Sequence, residues 1–208
     1  MSSDFEPPTD PAYRPVAPST APAAPTAPTP ALSANATLLV PLLVGGVVAV
    51  AVGVYGRLHE PSHIAVSLAG FSGPLTVKVW LTTGVLLFAL VQLVSALMMY
   101  GKIPGVAAPS WTGTLHRWSG RSAFLLAVPV AIHCLYAVGL QFDEPRVIVH
   151  SLLGCFFFGT FTAKMLVLSK KGTPAWALPL LGGLVFTALV GLWLSASLWF
   201  FATQGVKF

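Results

Sequence analysis

An all-α integral membrane bundle is the fold class this sequence predicts, and three observations predict it. Of its 208 residues 55% are hydrophobic and only 8% are charged. Mean hydropathy is +0.81, whereas a soluble domain carries roughly 25% charged residues. The apolar residues also gather into five runs, each near the ~20 residues that cross a ~30 Å hydrocarbon core.

Taken in chain order, residues 1–34 read as a disordered Pro/Ala-rich tail. The stretch APSTAPAAPTAPTPALSA (17–34) offers repeated proline and no large apolar side chain to bury, which predicts an extended arm. MSSDFEPPTDPAYRP lacks both a basic n-region and an apolar h-region, so the first span is expected to serve as its own insertion signal. Residues 35–208 then form one transmembrane domain. Its expected spans are 36–55, 75–99, 115–140, 146–168 and 176–203. The polar, glycine-containing loop GRLHEPSHIAVSLAGFSGP (56–74) separates the first two, and the other connections are short. Short connections predict that neighbours in sequence are antiparallel neighbours in space.

Charge sets the expected topology. On the tail's face of the membrane, side A, lie Arg14, Lys102, Arg117, Arg121, Lys164, Lys170 and Lys171. The opposite face, side B, carries Arg57, Lys78, Arg146 and Lys207. The excess near side A puts the N-terminus in the cytoplasm of a multi-pass bacterial plasma-membrane protein. Basic and aromatic residues do not interleave on a polar surface, so nucleic acid is excluded as a partner. Trp111, Trp118, Trp176, Trp193 and Trp199 fall towards span ends, as an interfacial belt requires.

Histidine carries the chemistry. His133 sits in AVPVAIHCLYAVG, about 10 Å below side B, and His150 about 6 Å below it on the next span, at a 1.5 Å rise per residue. Two neutral imidazoles at matched depth on facing helices are an axial ligand pair for haem b. Gly154 and Gly159 remove bulk beside His150, Ala137 does so beside His133, and Pro129 bends the third helix. Arg146, four residues before His150, is placed to meet a haem propionate. The rival reading makes both histidines hydrogen-bonded core residues. On side A, His116 and Lys164 lie level with each other, where they suit a second haem; alternatively Lys164 snorkels or meets an anionic group. His59 and His63 in HEPSH form either a weak metal site or an ordinary surface loop. Cys134 and Cys155 read as packing residues, and the absence of C-x-x-C-H excludes covalent haem attachment by that signature.

LHRWSGR, PVAIHCLY, HSLLGCFFFGTFTAK and W-x-LP-x-x-GG together resemble an uncharacterised, actinobacterial-type family of small membrane proteins over most of residues 55–203. More distantly, the histidine-bearing helices resemble cytochrome b-type ferric reductases and ascorbate-reducible cytochromes b. That resemblance implies single-electron transfer through a haem b on side B. His116 and His133 fall on different helix faces, unlike the paired histidines of those families. No G-x-G-x-x-G follows a strand, so any flavin or nicotinamide donor is a separate chain. The expected partners are the lipid membrane, a quinone or another redox protein, and other subunits of a membrane complex. The alternatives are a structural or assembly subunit, and a small transporter using His133, His150 and Lys164.

Overall fold

The computed structural model describes residues 34–65 and 67–208, with side chains from residue 36. The expected tail lies outside the described residues. Every regular element among them is helical: α1 (Ala34–Leu58), α2 (Pro74–Met99), α3 (Thr112–Ile132), α4 (Pro145–Leu168), α5 (Ala177–Trp193) and α6 (Trp199–Gln204). A π-helical turn, His133–Val138, continues α3, and another, Leu194–Leu198, joins α5 to α6. Five continuous spans result, all long and apolar enough to cross a membrane. They match the expected runs to within a few residues.

The sequence explains where the helices start and stop. Pro74 and Pro145 open α2 and α4, where the missing amide hydrogen costs nothing and the fixed φ suits the first turn. Gly139 (φ 73) and Gly205 (φ 76) follow the last helical residues of the third and fifth spans. That left-handed conformation stops a helix and is strained for any residue with a Cβ.

Packing departs from simple sequence order. α1 packs along α4, α4 along α5, α5 against α2 and α2 along α3. The expected neighbour relation thus holds for α2/α3 and α4/α5, while α1/α2 and α3/α4 are not closely packed pairs. Small residues account for the first exchange. Gly45 of α1 meets Gly159 and Ala163 of α4 so closely that an added Cβ would stand 2.6 Å from the Gly159 carbonyl oxygen. Intimate backbone approach of this kind is how helices associate where lipid removes the hydrophobic drive. Gly159 therefore serves the α1–α4 crossing and does not clear space for a cofactor, correcting its expected role. α3 and α4 are held apart by aromatic side chains, with Phe124 stacked on Phe161 at 5.3 Å. Val85, Ala89 and Leu189 form the adjoining core, packed by Leu126, Ala127 and Phe157. α5 and α2 are stitched by the Trp193 indole N–H donating to Thr83 Oγ1 (3.1 Å) and Ser197 Oγ donating to the Val79 carbonyl (3.3 Å).

Candidate functional site

His150 stands in the second turn of α4, its Nδ1 2.8 Å from Ser195 Oγ in the π-helical turn after α5. Ser195 Oγ lies 2.7 Å from the Gly191 carbonyl and 3.2 Å from that of Leu192. A hydroxyl has one proton, and here a carbonyl of its own helix takes it. The hydroxyl oxygen therefore accepts from Nδ1–H, so the Nε2 lone pair stays free. Nε2 has no hydrogen-bond partner among the described residues. An imidazole braced at one nitrogen and open at the other is the arrangement of a metal ligand.

The ring borders a cavity of about 90 Å³, lined also by Lys78, Cys134, Ser151, Gly154 and Cys155. Gly154 fits its expected role, because a Cβ there would meet nothing within 4 Å. Val52, Ala127, Ala131, Leu135, Phe157 and Phe158 wall both this cavity and a larger crevice of about 440 Å³. That crevice is apolar and bordered by exposed Tyr55, Phe124, Ile132 and Tyr136, so it opens towards lipid.

His133 opens the π-helical turn after α3 and is half-buried, but it is not among the residues lining the His150 cavity. What it shares with His150 is Lys78, which stands within electrostatic reach of both imidazoles. Arg146 is fully engaged away from the cavity. It pairs with Glu144 at 3.5 Å, donates to the Ser195 carbonyl at 2.8 Å and lies 3.9 Å over the Trp199 ring. Its place is therefore to pin the Ser195 turn against α4, which corrects the expectation that it faces a propionate.

Side A repeats the brace. His116 Nδ1 is 2.9 Å from Ser95 Oγ, which is itself 2.7 Å from the Val91 carbonyl. Lys164 of α4 stands within electrostatic reach of His116, so those two expected partners do come together. The Gln92 amide donates to the His116 carbonyl and to Ser119 Oγ, locking α2 to α3 at this level.

HEPSH is built into the fold. The His59 ring is sandwiched between Tyr55 (5.0 Å) and Tyr136 (4.9 Å), with its Nε2 buried and unpartnered. The Ser62 and His63 amides, both 3.1 Å from their acceptors, cap the Tyr136 and Ala137 carbonyls. His63 takes φ 55 to do so. Among the described residues no group of three or more His, Cys, Asp or Glu side chains is placed to hold a metal ion.

Ser95, Ser195 and Lys78 did not emerge as site residues from the sequence. A serine inside an apolar helix is a weak signal, but VSALMM and WLSASLW each carry one. Lys78, counted with the topology charges, is an ionisable side chain inside a span and so a functional candidate in its own right.

Fold and site together define a multi-pass helical membrane protein with braced, half-buried histidines near both ends of its bundle. The chain belongs to DUF6529, a family of unknown function, which matches residues 38–208. No curated protein and no solved structure matches it.

Proposed function

We propose that this protein is a bacterial membrane b-type cytochrome that passes single electrons, with His150 as an axial ligand of one haem near side B. The observation that carries the reading is the Ser195 brace, which presents the Nε2 lone pair of His150 towards a cavity walled by small residues. His133, at matching depth on the preceding span, is the second ligand. The haem would supply one-electron iron chemistry. The chain's own part is to fix imidazole orientation and keep water away with apolar walls. At about 90 Å³ the cavity falls below the ~300–1,000 Å³ typical of ligand sites, whereas the adjoining crevice of about 440 Å³ falls within it. Swinging Phe157 and Phe158, which wall both, would merge the two spaces.

The electron partners in this reading are a membrane quinone or another redox protein, within a larger complex of the plasma membrane. The N-terminus is cytoplasmic, by the excess of basic residues near side A. A second haem held by His116 and Lys164 is supported by the Ser95 brace on His116.

The test is the reduced-minus-oxidised spectrum and pyridine haemochrome ratio of detergent-purified protein from haem-replete cells. Haem b bands are expected, lost in His150→Ala and His133→Ala and kept in His63→Ala. Wild-type protein without those bands overturns the proposal. Lys78 beside two imidazoles also favours a transporter reading, which proton flux in haem-free liposomes would support.

A further inference from the structure

Lys78 lies on α2, five residues into a membrane span counting Pro74 as the first, and lines the His150 cavity. It makes no ion pair among the described residues, where the one such pair joins Arg146 to Glu144. Both imidazoles within its reach are basic groups, and neither can neutralise an ammonium. The described acidic side chains, Glu60, Asp143 and Glu144, are all exposed in side-B loops. No carboxylate lines the cavity. A charge at that depth costs about 2.5–3.5 kcal/mol without a partner, so an intramembrane lysine is kept where an anion meets it.

The rest of the lining says what kind of anion. Val52, Val85, Leu189 and Leu192 leave an apolar space with a single flexible cation at one side. A phosphate dianion would need several donors. One carboxylate on an apolar body satisfies the ammonium and fills the remainder.

We infer that Lys78 is the anion-recognition residue of this cavity and that its ligand is an amphiphilic carboxylate. That carboxylate comes either from a haem propionate, in which case the inference rests on the cytochrome reading, or from a free carboxylate with an apolar chain. Lys78 takes the role that position along α4 suggested for Arg146, whose three contacts point it elsewhere.

The experiment compares full-length wild type, Lys78→Met and Lys78→Arg in nanodiscs. In the haem arm, Lys78→Met should lose haem faster and titrate at a lower reduction potential, with Lys78→Arg restoring both. Haem dimethyl ester in wild type should reproduce the Lys78→Met behaviour, and combining the two should add nothing. In the carboxylate arm, hexanoate should raise the melting temperature saturably in wild type and in Lys78→Arg, but not in Lys78→Met, with hexanol as the uncharged control. A response in either arm supports the inference and names the source. Wild-type protein that carries no haem ends the cytochrome reading, and the hexanoate arm then decides the role of Lys78 alone. Lys78→Met that equals wild type in haem retention, potential and hexanoate response overturns it. The charge-keeping Lys78→Arg variant, checked by helical circular dichroism, separates loss of binding from loss of fold.

Discussion

Gly45 and Gly159 meet backbone to backbone: an added Cβ on either would stand 2.6 Å from the other's carbonyl oxygen. The two glycines are 114 residues apart in sequence, yet they set how closely α1 lies on α4. Gly45→Ala and Gly159→Ala should each destabilise the fold by about 1–3 kcal/mol, the usual result of forcing a methyl into a packed contact. Unfolding in mixed micelles of rising dodecyl sulfate content measures this. Gly46→Ala and Gly182→Ala, where an added Cβ meets nothing within 4 Å, should leave the midpoint unchanged.

Ser195→Ala removes the acceptor from His150 Nδ1 while leaving the ring in place. Loss of such a supporting partner lowers metal affinity roughly 10–100-fold. The expected outcome is normal folding with faster haem loss, followed as transfer to apomyoglobin. A loss rate equal to wild type would show that the hydroxyl does not position the ligand.

His59→Phe should keep the sandwich between Tyr55 and Tyr136 and eliminate a buried nitrogen that has no partner. An unsatisfied buried polar atom costs about 1–3 kcal/mol, so the variant should match or exceed wild-type stability. Haem content should not change. A destabilised His59→Phe would indicate that the nitrogen has a partner in the membrane-embedded protein.

Arg146→Lys keeps the charge but discards the planar group that lies over Trp199. The expected cost is about 0.5–2 kcal/mol, from the stacking and from the fixed geometry of the bond to the Ser195 carbonyl. Thermal unfolding reads the cost directly. Haem loss should accelerate with it, because the turn that bears Ser195 is released.

The five spans were legible because continuous apolar runs of membrane length leave few other folds open. Proline at the helix starts and glycine past the ends sharpened the limits at Pro74, Pro145, Gly139 and Gly205. Helix order was not legible. It depends on which glycine faces which, and Gly45, Gly159 and Gly191 look alike in sequence while only the fold pairs them with partners. The candidate site was read in part. His150 and Gly154 were found by depth and spacing, and His116 with Lys164 by level. The serine braces were missed because each comes from a different span and carries no spacing signature. Arg146 was misplaced because helical spacing gives the face of a side chain but not the aromatic ring that draws it away.

Both departures from α-helical winding, His133–Val138 and Leu194–Leu198, fall near one face of the membrane and hold His133 and Ser195 respectively. A π-helical turn accommodates one residue more than the ordinary spiral, so it is the natural scar of a single-codon gain. Removing one amino acid from either turn would leave a smooth, fully bonded rod of nearly the same length. It would also rotate all that follows by about 100°, one residue's share of a 3.6-residue turn. Relatives shorter by one position there should insert and fold as this chain does, but lack whatever chemistry the extra residue was kept to serve.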